Sequence, residues 1–99
     1  MKVMIKNICL GQSNKVAGFV ENIRNKKAMC FIVFKDISGK LQLTIEKEKH
    51  PDLVGILDQI TVDSVIEAEG LVVESEYVKL NHMEMYPEKI VLHSVALPS

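Results

Sequence analysis

With 99 residues, 47% of them hydrophobic and 25% charged, the chain has apolar material for one buried core and too little length for two, so a single domain over residues 1–99 is expected. That balance excludes a disordered chain, and apolar runs of only a few residues exclude a membrane-spanning helix, which takes about 20. The net charge of −1 hides a split: Lys15 to Lys40 carries six bases against two acids, and Leu41 to Glu76 carries two bases against nine acids, so one part attracts a polyanion and the rest repels it unless both are simply solvated.

The first dozen residues read as a lead-in helix or strand, and MKVMIKNICL lacks the sustained apolar stretch and small-residue cleavage site of a signal peptide. Cys9 and Cys30 have no CxxC spacing and sit among apolar neighbours, which predicts buried reduced thiols and, by default, a cytoplasmic protein. Lys15 to Arg24 and Ala28 to Asp36 are rich in β-branched and aromatic residues and flank the short polar Asn25-Lys26-Lys27, the pattern of a hairpin. After a turn at Ile37-Ser38-Gly39, Leu41, Leu43 and Ile45 alternate with Lys40, Gln42, Thr44 and Glu46, so the first set faces the core and the second faces solvent or a ligand.

The period then changes. Pro51 suits a first helical turn, and Leu53, Ile56, Leu57 and Ile60 recur at three- and four-residue spacing, which predicts one short amphipathic helix. Ser64 to Glu74 returns to strand, with Gly70 at a bulge or bend. Beyond a polar hairpin loop around Asn81-His82, Met83 to Tyr86 and Lys89 to Ala96 are strand-like, and Pro87, which cannot donate to a ladder, marks an edge or break between them. Three strands, a helix, then two or three strands is the order of an all-β fold with one short helix: the OB-fold, a five-stranded, partly open Greek-key barrel with its helix between strands three and four. An SH3-like barrel is the competitor, and the helix placement disfavours it.

Gly18-Phe19-Val20, Arg24, Phe31, Lys35-Asp36, Gly39 and Gln42 follow one another at a spacing that resembles the N-terminal anticodon-binding domains of aspartyl- and asparaginyl-tRNA synthetases, class II enzymes, and more distantly the lysyl enzymes. Further on, Asp63-Ser64-Val65 before Gly70, Met83-Glu84-Met85-Tyr86-Pro87 and Ser94-Val95-Ala96-Leu97-Pro98 are similar to later segments of the same domains, so the resemblance covers most of the chain. Two positions depart from it. The family usually has tryptophan at the place of Phe19 and arginine at the place of Lys35, and an ammonium does not reproduce the hydrogen bonds of a guanidinium fork.

The resemblance implies a partner, tRNA of the aspartate or asparagine type, and a role for each matching residue. OB-folds bind single strands on the outer face of strands two and three, where Phe31 and the outward Gln42 are expected. Phe31 would stack on the central anticodon uridine, Gln42 would read its edge, Arg24 would contact the backbone or a base, and Glu84 would accept a hydrogen bond from a base amino or imino group. Lys26 and Lys27 would add phosphate attraction, while Thr44 stands where some members carry a second aromatic; Phe19 and Phe34 are expected in the core or half-buried.

No catalytic residues, metal or cofactor are expected. A class II synthetase needs a separate large catalytic domain, His50, His82 and His93 have no zinc-ligand spacing, and there is no glycine-rich phosphate loop. The chain is therefore expected to be a binding domain, excised from a synthetase or free-standing in truncated form. A barrel repurposed for protein interaction or assembly, a general single-strand binder and a homodimer remain open alternatives.

Overall fold

Strict alternation builds the barrel wall. In β2 (Met29–Asp36) the side chains of Cys30, Ile32 and Phe34 are fully buried, and in β3 (Gly39–Glu46) so are Leu41, Leu43 and Ile45, while the residues between them turn outward. Each such burial stabilises by roughly 1.5–3 kcal/mol relative to an exposed side chain. The computed structural model describes residues 1–95; the end of the expected last strand at Ala96 and the rest of the closing link lie outside the described residues.

The remaining strands are β1 (Gln12–Asn25), β4 (Val65–Glu74) and β5 (Met83–Ser94), and all five close in the order β1-β2-β3-β5-β4. Between β3 and β4 lies a 3-10 turn, Pro51–Leu53, running into the short helix α1 (Val54–Leu57); Leu53, Leu57 and Ile60 bury themselves against one end of the core. The expected five-stranded barrel with its helix in this place is what forms, and it is closed rather than partly open. Closure rests on a short parallel ladder between β3 and β5, Gln42 opposite Glu84 and Leu43 opposite Met85. Asn81 holds the loop before β5 in place by donating from Nδ2 to the Lys40 carbonyl at 2.7 Å, and Asn81 and His82 both take positive φ there, a conformation these residue types tolerate.

Two bulges decide which side chains face out. β1 pairs with β4 through Gln12 to Phe19 and with β2 through Phe19 to Asn25, and its register slips at Glu21, which opposes no residue of β2. Before the slip the odd-numbered residues face out; after it Ile23 turns toward the core and Arg24 faces out. β5 slips at Glu88, between the pairs Gly70 with Pro87 and Glu69 with Lys89.

Pro87 therefore corrects the expectation of a break. β5 runs through it without interruption, because the missing N–H falls at the bulge and the opposing residue is glycine. A Cβ on Gly70 would lie 2.7 Å from Pro87 Cα and closer still to the Tyr86 carbonyl oxygen. Two burial expectations also fail. Phe19 is 52% exposed, since it sits where β1 passes from β4 to β2 with its side chain outward. Cys9 is exposed while Cys30 is buried; Asn14 holds the backbone of Cys9 through bonds of 2.9 and 3.0 Å.

The lead-in is a 3-10 turn, Ile5–Asn7, that caps the barrel with Ile5. Its anchor is Asp36, which accepts from the Ile5 amide at 2.8 Å and from the Ser38 amide and hydroxyl at 2.7 and 2.6 Å. Burial alone would raise the Asp36 pKa, but these bonds outweigh it and hold the carboxyl below its ordinary range.

Candidate nucleic-acid interface

The strand registers assemble the outward residues into two rows. One crosses Arg24 of β1, Phe31 of β2 and Thr44 of β3; the other crosses Val33, Gln42 and Glu84 of β5. Continuing the parallel register one step brings Tyr86 beside Thr44, and the two line a common cleft. Phe31, Gln42, Arg24 and Glu84, the residues singled out from the sequence, thus share one face.

Phe31 is half-buried, with the Arg24 guanidinium 5.0 Å above its ring centroid, a cation–π contact worth about 0.5–1 kcal/mol at an exposed position. Arg24 reaches the ring only because the Glu21 bulge reverses the parity of β1. Gln42 donates from Nε2 to Thr44 Oγ1 at 3.1 Å, which orients the amide along the row and leaves its carbonyl oxygen and second N–H for a ligand. Glu84 sits at the closure seam and is 8% exposed. The Glu84 carboxylate beside the Tyr86 hydroxyl, more than burial, pushes the phenol pKa up to about 12.

Lys26 and Lys27 are exposed at the β1–β2 turn. Among the described residues, ion pairs engage Lys35 and Lys40 with Glu21, at 3.6 and 2.9 Å, but none engages Arg24, Lys26 or Lys27. The basic half of the charge split is thereby reduced to three uncommitted cations at one end of the face. On the opposite wall Glu67 pairs with Lys2 and Glu69 with Lys15.

A cleft of about 310 Å³ adjoins the rows, lined by Thr44, Glu46, Lys49, His50 and Tyr86. The sequence reading placed Tyr86 in a strand but gave it no site role, although its i, i+2 relation to Glu84 was the available signal. Among the described residues no His, Cys, Asp and Glu side chains gather as a metal site, and no helix is long and apolar enough to cross a membrane.

A closed barrel of this strand order, with an aromatic, an amide and free cations on the outer face of β1 to β3, defines an OB-fold of the nucleic-acid-binding class. The chain belongs to the tRNA anti-codon family, the OB-fold nucleic acid binding domain, whose profile matches residues 15–92. It is 30% identical over 95 residues to an aspartate–tRNA(Asp/Asn) ligase of Hydrogenobaculum sp., covering 90% of this chain and 16% of the ligase. It is 34% identical over 87 residues to the corresponding ligase of Methanosarcina barkeri, covering 87% of this chain and 19% of the ligase. The chain thus spans less than a fifth of the length of these relatives. The asparaginyl-tRNA synthetase of Pyrococcus horikoshii, solved with asparaginyl-adenylate, superposes with a TM-score of 0.85 at 19% identity over 97% of this chain and 23% of the synthetase, a likeness of fold.

Proposed function

We propose that this domain binds the anticodon loop of aspartate- or asparagine-type tRNA, with the central uridine stacked on Phe31 and its edge read by Gln42. The observation that carries the reading is the register that sets Gln42 beside Glu84 and one row from Phe31. A uracil edge offers one N–H and adjacent carbonyl oxygens, which match the free oxygen and N–H of an amide already oriented by Thr44. Glu84, acceptor-only when ionised, suits an amino or imino N–H of the same or a neighbouring base. Binding then replaces the Arg24–Phe31 contact by a base–Phe31 stack and leaves Arg24, with Lys26 and Lys27, to face phosphates. The relatives' names state a ligase; the role proposed for this segment is recognition.

The test is a fluorescence-anisotropy titration with anticodon stem-loops that differ only at the central loop position. Uridine is expected to bind best, and Phe31→Ala to weaken it roughly 5- to 150-fold, the equivalent of a stacking contact of about 1–3 kcal/mol. Gln42→Ala should flatten the preference among the four bases, and affinity should fall as salt rises. Equal binding of all four loops, or unaltered affinity of Phe31→Ala, would contradict the proposal.

A further inference from the structure

Lys35 of β2 and Lys40 of β3 are direct cross-strand partners, and Lys40 stands two residues from Gln42, about 7 Å along the strand. Like charges set opposite each other on a sheet are destabilising. Such a pair beside Gln42 would also attract any phosphate that approached. β1 answers both charges with one carboxylate. At its bulge Glu21 opposes no residue of β2, and its Oε1 accepts from Lys40 Nζ at 2.9 Å and lies 3.6 Å from Lys35 Nζ. The bond from Lys40 outweighs desolvation and holds the Glu21 carboxyl below its ordinary range, so it stays charged. Among the described residues no other acid pairs with two lysines.

We propose that Glu21 sets specificity as an electrostatic screen, engaging Lys35 and Lys40 so that RNA is held by base contacts and by Arg24, Lys26 and Lys27 alone. A phosphate that took either ammonium would lie beside a carboxylate fixed in the barrel wall, and repulsion between the two anions would offset the attraction. The effect on specificity rests on the anticodon reading above. A uridine held by Phe31 and Gln42 fixes one register of the strand, whereas an RNA without it binds through its phosphates and settles wherever cations are exposed. Two more exposed ammoniums would therefore favour the wrong RNA more than the right one.

The test uses Glu21→Gln, which keeps the size and an acceptor oxygen for Lys40 and removes the charge. Its affinity for a short oligoadenylate and for the stem-loop with a central uridine is measured by fluorescence anisotropy over a range of salt. Wild type and the triple variant Glu21→Gln, Lys35→Met, Lys40→Met are measured alongside. Each phosphate contact on a single strand adds about 0.7 to the slope of log affinity against log salt, about fivefold in affinity at 0.1 M salt. Glu21→Gln is expected to bind oligoadenylate roughly 5- to 25-fold more tightly, with a slope steeper by about 0.7–1.4, and to gain less on the stem-loop. The triple variant is expected to return to wild-type affinity. Unchanged affinity and slope in Glu21→Gln would overturn the screen. So would a triple variant that keeps the gain, or one that falls well below wild type, since the lysines would then already hold RNA. Equal gains on the two RNAs would overturn the role in specificity. If Glu21→Gln tightens oligoadenylate while wild type shows no preference for uridine, the screen stands and the anticodon reading fails.

Discussion

Tyr86 keeps its proton because Glu84 faces its hydroxyl, and the pair gives a direct readout of the seam. Its pKa of about 12 lies above the value near 10 of an unstructured tyrosine, so the fold favours the neutral phenol. The sign follows: this stabilisation is fully present below about pH 10 and is lost as pH rises through about 12. Tyr77 and Tyr86 are the two tyrosines of the chain, so in a Tyr77→Phe background tyrosinate absorbance reports Tyr86 alone. Glu84→Gln should shift that titration down toward the ordinary value, and an unshifted midpoint would remove Glu84 as its cause. Gln42 was legible as outward because period two sets it opposite in phase to Leu41 and Leu43, whereas Phe31, in an apolar strand, was singled out only by the family resemblance. The role of Tyr86 was not legible, because it comes from β5 lying beside β3, a pairing between distant segments. Phe19 was misread for a similar reason, since its exposure depends on where β1 leaves one partner for the other.

At the scale of elements, the bulges carry what local pattern could not show. A bulge exists only relative to a partner strand, so neither the slip at Glu21 nor its effect on Arg24 can be read from β1 alone. Gly70 was legible as a bend, whereas Pro87 was misread as a break because its glycine partner was not known to be opposite. The two residues form one device: the strands approach so closely there that a Cβ would meet the Tyr86 and Pro87 backbone. Gly70→Ala should cost about 1–3 kcal/mol, the usual range for overpacking, seen as a lower urea midpoint with an unchanged slope. It should also weaken RNA binding beyond the loss of folded protein, since relief of the clash displaces the strand that carries Glu84 and Tyr86. A variant as stable as wild type would show that β4 and β5 do not approach in this way.

For the molecule as a whole, the fold class and helix position were visible in the order of elements, while full closure was not. The β3–β5 ladder that closes the barrel involves two residue pairs, and one of them places Gln42 against Glu84, so closure and site assembly are the same event. Charge follows the same geometry. Cations outside the ion pairs cluster at the β1–β2 end of the candidate face, and on the opposite wall Glu67 and Glu69 are paired with lysines. A polyanion is thus directed to one side of the barrel. The most direct test is backbone amide chemical-shift mapping of the 99-residue chain titrated with an anticodon stem-loop that carries a central uridine. The largest changes should fall on Arg24 to Lys27, Phe31, Gln42, Thr44 and Glu84; changes concentrated on Lys15, Glu67, Glu69 and Val91, or none at saturating RNA, would contradict the account.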